Sequence, residues 1–140
     1  MLDHLQQRVI DLLEPTKEVT LSTYGPAGIQ AQVLTSIARG LILFVLVPAT
    51  SEHLYNLEQH DIVVVTTAEW QMRGVGRQLS LREFPPDVRL LSAIRTCEYA
   101  IIEIRPLRLE IGQPNGGGFS ETIDMDNPPP TILAPIKLCA

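Results

Sequence analysis

Positive charge is scarce in this chain. Its 140 residues carry 11 Lys and Arg against 16 Asp and Glu, a formal net charge of −5. Nucleic-acid backbones are held by clustered cations, so that class of partner is excluded. Cysteine is nearly absent. Cys97 and Cys139 lie far apart and in no metal or redox motif, and they are read as free thiols, buried or terminal. His4, His53 and His60 have no ligand spacing with one another or with carboxylates, so no metal site is expected. No apolar run approaches the roughly 20 residues of a membrane helix. The opening segment MLDHLQQRVIDLLEP has neither the basic start nor the apolar core of a secretion signal, and a cytoplasmic protein without membrane partners is expected. GxSxG, P-loop, Cys–His and paired-carboxylate arrangements are all missing, so no catalytic acid, base or nucleophile is nameable from the sequence.

What the chain does have is apolar patterning. Hydrophobic residues make up 45% and charged residues 19%, a balance that supports one compact domain burying roughly 68% of its unfolded surface. Leu2, Leu5, Val9, Leu12 and Leu13 recur at spacings of three and four, marking an amphipathic helix. Asp3 and Gln6 resemble its capping box, and Pro15 ends it. Alternation then takes over. Val19–Thr23 and Ile29–Ile37 flank the turn at 25–28 as a hairpin, and Leu41–Val47 is an apolar run short enough for a buried strand. Ile62–Thr67, Trp70–Leu79 and Tyr99–Ile111 complete six strands, with Pro106 interrupting the last at a bulge or edge. Pro85-Pro86-Asp87 introduces a second amphipathic helix through Val88, Leu91 and Ile94. Six strands joined by short turns favour a closed antiparallel barrel, which leaves no free edge.

The organising stretch runs from Phe44 to Gly76. Pro48 stops a strand, Thr50 or Ser51 caps a short helix, and Glu52 sits in its first turn. Small polar residues, a two-turn helix ending in Asn56-Leu57, an aliphatic strand, then Trp70, Gln71-Met72-Arg73 and Gly76 resemble the pyridoxamine 5′-phosphate oxidase-like group. Those are FMN-binding split β-barrels. The likeness extends more loosely over residues 15 to 112.

The resemblance implies a mainly β fold with flanking helices, an antiparallel split β-barrel over residues 1–140. From about residue 112 the Gly- and Pro-rich composition reads as a flexible tail. Its apolar residues Phe119, Ile123, Ile132, Leu133 and Ile136 are suited to packing on a partner subunit or over a site. The resemblance further implies an FMN-dependent oxidoreductase acting on an unidentified small molecule, working as a homodimer with the cofactor in a shared cleft. Thr50, Ser51 and His53 at the helix start, with Asn56 behind them, and Gln32, Thr35 and Ser36 on the second strand stand where the cofactor's phosphate is held. Free backbone N–H groups at a helix start suit such a group. Gln71 and Arg73 share a strand face and would reach the flavin, often from the second subunit. Trp70 either edges against the ring or packs inside the barrel, while Arg73 and Arg77 have ordinary surface ion pairs as their other reading.

Two departures matter. The family places cations near the positions of Gln32 and His53, so FMN is expected to bind weakly or to be absent. The rival readings are therefore a non-catalytic binding or regulatory protein that has lost flavin, and a deazaflavin or haem ligand in the same cleft.

Overall fold

The computed structural model describes residues 4–80, 83, 99–112 and 119–125. The elements run α1 (His4–Leu13), β1 (Glu18–Gly25), β2 (Gly28–Arg39), β3 (Ile42–Pro48), α2 (Glu52–Leu57), β4 (Ile62–Thr66), β5 (Trp70–Gln78), β6 (Tyr99–Gly112) and β7 (Phe119–Asp124). The six strands read from alternation are all present. The amphipathic helix expected around Val88–Ile94 lies outside the described residues, as do Cys97, Cys139, Leu2 and Asp3.

All strand pairs are antiparallel, in the order β3-β2-β1-β4-β5-β6-β7, and a further β3–β6 pairing closes the first six into a barrel. Alternation explains what fills it. Val19 and Leu21 of β1, Val63 and Val65 of β4, Trp70 and Met72 of β5, and Ile102, Ile104 and Leu109 of β6 all point into one core. Trp70 is 2% exposed, so barrel packing is its role. β3 is buried on both faces along Ile42–Val45, as its unbroken apolar run requires.

β6 is the strand on which the barrel splits. Its first half, from Tyr99 to Ile104, pairs with β3, and its second half, from Arg108 to Gly112, pairs with β7. Pro106 sits at the changeover. The register with β5 jumps there, Gly74 facing Pro106 and Arg73 facing Arg108. Pro106 has no N–H to give a ladder, so a bulge is where it fits, in agreement with the sequence reading.

Two expectations need correcting. Leu5 was assigned to the buried face of α1 but is 51% exposed, and Val9 and Leu13 carry the contact. The segment read as a flexible tail contains β7, which pairs with β6 through Leu109↔Ile123 and Glu110↔Thr122. Ile123 joins the core, and Glu121 ties the strand to Arg8 of α1 at 2.6 Å. A short strand is invisible to a compositional reading dominated by the flanking Gly and Pro.

Candidate functional site

The site is built at the junction of the β1–β2 hairpin and α2. Ser51 caps α2 from an extended backbone (φ −65°, ψ 139°), its Oγ accepting the His53 N–H. Helical spacing then puts His53 and Asn56 on one buried face, at 3% and 0% exposure. Asn56 grips the hairpin. Its Oδ1 accepts from the Ala27 N–H at 2.9 Å, and its Nδ2 donates to the Gly28 carbonyl at 3.0 Å and to Thr23 Oγ1 at 3.1 Å. A Cβ on Gly25 would lie 2.8 Å from the Asn56 Cα, so glycine is what lets hairpin and helix approach so closely.

Thr23 passes the network on to His53, whose Nδ1 lies 2.7 Å from Thr23 Oγ1. Because Asn56 already donates to that oxygen, the hydroxyl proton is left for Nδ1, with no other acceptor beside it among the described residues. His53 is then the neutral tautomer carrying its proton on Nε2. Burial pushes its pKa below the usual imidazole value, because a buried cation has lost its hydration. Nε2 has no partner among the described residues and is not sealed from solvent, so it is the ring atom that meets the adjoining cleft.

That cleft, about 310 Å³, opens where β2 and β3 part. The two strands pair only from Ser36↔Val45 to Arg39↔Ile42, leaving the first half of β2 without a neighbour on that side. Gln30, Ala31, Gln32, Pro48, Thr50, Ser51, Glu52 and His53 line it. Of the residues read from the sequence, the cleft gathers Gln32, Thr50, Ser51 and His53.

The others stand elsewhere. Thr35 is exposed opposite Glu18, and Ser36 is buried with an unpartnered Oγ; neither borders the cleft. Asn56 holds the scaffold, with both amide hydrogens and its Oδ1 committed to the hairpin, and is fully buried away from the cleft lining. Gln71 and Arg73 do share the outward face of β5, half-buried and exposed. Yet β1 and β4 intervene between β5 and β2, a separation of about 14 Å at the usual strand spacing. Within one chain they do not reach the cleft. Arg77 makes the ordinary ion pair, 2.7 Å from Glu83. Sequence reasoning missed Thr23 and Gln30. Thr23 had a signal: a hydroxyl at an inward position of an apolar alternation needs a buried partner.

FMN is the cofactor that the resemblance implies, and its phosphate does not fit this residue set. Among the described residues that line the cleft there is no Lys or Arg, and one carboxylate, Glu52. Three amides at the start of α2 are engaged, Ser51 N–H with the Pro48 carbonyl, His53 N–H with Ser51 Oγ, and Leu54 N–H with the Ser51 carbonyl, while the Glu52 N–H has no partner among the described residues. Among the described residues no cluster of His, Cys, Asp and Glu is placed to hold a metal, and no helix is long and apolar enough to cross a membrane.

This architecture defines a class. A protein related to general stress protein 26 (pyridoxinephosphate oxidase family) from Clostridium acetobutylicum superposes with a TM-score of 0.64 at 12% identity, covering 89% of this chain and 98% of its own. General stress protein 26 from Bacillus anthracis gives 0.62 at 11% identity, with 88% and 100% covered. The haem storage protein HutZ from Vibrio cholerae gives 0.55 at 12% identity, with 78% and 95% covered. At these identities the likeness establishes the fold, a split β-barrel of the pyridoxamine 5′-phosphate oxidase-like type. No protein-family model and no curated protein matches the sequence.

Proposed function

We propose that this protein binds a flavin-class small molecule in the cleft between β2 and α2, as a homodimer in which each cleft is completed by a second copy. The observation that carries the reading is the open polar cleft, held by the buried His53–Thr23–Asn56 network at the edge of a split barrel. A ring system would lie along the free edge of β2, and any oxidoreductase activity would draw its electrons from the ligand, with the chain supplying orientation.

The homodimer rests on a second observation. Tyr24, Ile29, Val33 and Ile62 are between 45% and 77% exposed. The register Tyr24↔Ile29 and Thr20↔Val33, continued into β4 through Ser22↔Val64, sets them on one outer face of β2, β1 and β4. A contiguous apolar patch of this kind marks an interaction surface, and a twofold pair would carry Gln71 and Arg73, on the same outer face, toward the partner. Light scattering on dilute protein is expected to give about twice the 15.5 kDa chain mass, and a clean monomer at micromolar concentration would sink the shared cleft.

The ligand class is tested by incubating the purified chain with riboflavin, a deazaflavin or haemin, desalting, and recording the spectrum. Flavin absorption carried through with the protein is the expected result. A Soret band in its place would establish the haem reading, which the fold of HutZ shares. A colourless product from all three would move the protein to the non-catalytic binders.

A further inference from the structure

We infer that the cleft between β2 and α2 takes an uncharged, hydroxyl-bearing arm, such as the ribityl chain of an unphosphorylated flavin, and turns away a phosphate monoester. The inference rests on the proposed flavin-class ligand and narrows it.

The argument is a match of donors and acceptors. The Gln30 Nε2 donates to the Ala27 carbonyl, which leaves its Oε1 free to accept. Glu52, exposed at the rim, is an acceptor only when ionised. Ser51 Oγ accepts from the His53 amide and keeps its own proton to give. His53 adds one Nε2–H from a side chain that is 97% buried, so this donor is fixed in place by Thr23 and the surrounding packing. Gln32 and Thr50 can each both donate and accept. Hydroxyl groups also donate and accept, and they can satisfy every one of these atoms.

A phosphate dianion cannot. It offers only acceptors, so Glu52 and Gln30 Oε1 would face it unpartnered, and the carboxylate would repel it. None of the described residues that this chain contributes to the cleft is a Lys or Arg, the charges that usually hold such a group. His53 does not stand in for one. It is buried, and its Nδ1 already accepts from a hydroxyl, so protonation would reverse the Thr23 bond, leave that hydroxyl proton without its acceptor and bury a cation.

Riboflavin and FMN differ only in the phosphate, so the two ligands isolate the claim. The full chain is titrated into each and flavin fluorescence is followed. Riboflavin is expected to bind at least about tenfold more tightly than FMN. In Glu52→Gln, an exposed change, FMN is expected to tighten severalfold relative to riboflavin, so that the ratio of the two affinities falls. FMN binding as tightly as riboflavin, or more tightly, overturns the inference and leaves the flavin-class reading standing. A Glu52→Gln variant that alters both flavins equally also overturns it, because the carboxylate is then not opposite the phosphate. Binding of neither flavin sinks the flavin-class reading and the inference with it.

Discussion

Two buried polar clusters lie on this barrel, and they are built on opposite principles. At the hairpin–α2 junction, Thr23, His53 and Asn56 are all neutral, and three of their bonds run to side chains or carbonyls about 30 residues away in sequence. On β6, Glu103 is 1% exposed but charged, 2.9 Å from Arg105 Nε and 3.6 Å from Arg77, and its Oε2 has no hydrogen bond among the described residues. The neutral cluster borders the candidate cleft, and the charged one does not. A neutral network keeps its geometry without counterions and leaves the cleft free of fixed positive charge. A buried ion pair relies on its partners' charge and is weak evidence of stability by itself.

Removing the centre of each cluster tests that contrast. Asn56→Ala deletes three hydrogen bonds and leaves the Ala27 N–H and Gly28 carbonyl to find new partners. A loss of about 3 kcal/mol in urea unfolding is expected, at roughly 1 kcal/mol per bond. Loss below about 1 kcal/mol would mean that water replaces the side chain and that the junction is looser than described.

Glu103→Gln should cost less, about 1 kcal/mol, measured the same way. The amide keeps the shape and one acceptor, and the two arginines are 47% and 30% exposed, so water already screens much of the attraction. A cost equal to that of Asn56→Ala would show the two clusters to be energetically alike and would break the comparison.

The smallest effect is in pH dependence. The folded pKa of His53 lies below 6.5 because burial disfavours its cation. Between that folded value and 6.5 the unfolded chain therefore binds the extra proton. The stability that neutral His53 contributes is present above pH 6.5 and is lost as pH falls through this window. Glu83 behaves differently. The Arg77 hydrogen bond lowers its pKa below 4.5, so its contribution is lost only in more acid solution, and salt weakens it because the pair is exposed. Thermal melts across pH in His53→Gln should lack the upper of the two losses and keep the lower. An unchanged profile in that variant would place the titrating group elsewhere.

The fold was legible because its signals are local. Alternation marked β1 to β6, the short apolar run marked β3, and Pro106 marked the changeover on β6. The Ser51 cap and the two-turn helix were equally readable, since capping needs only a hydroxyl at the right backbone turn. β7 escaped because the Gly- and Pro-rich stretches on either side of it dominate the composition there.

Within the candidate site, Gln32, Thr50, Ser51 and His53 were named from sequence and do line one cleft. Their chemistry was not legible. Whether His53 is a cation depends on burial and on Thr23, 30 residues away, and whether Asn56 is a ligand depends on the hairpin it grips. The distance of Arg73 from the cleft depends on strand order, β1 and β4 having come between β5 and β2. The sequence by itself determined the strands, the turns and the cap, because each follows from neighbouring residues. The tertiary structure alone decided the charge of His53, the role of Asn56 and which polar groups the cleft gathers. Desolvation and hydrogen-bond partnership arise only where distant segments meet.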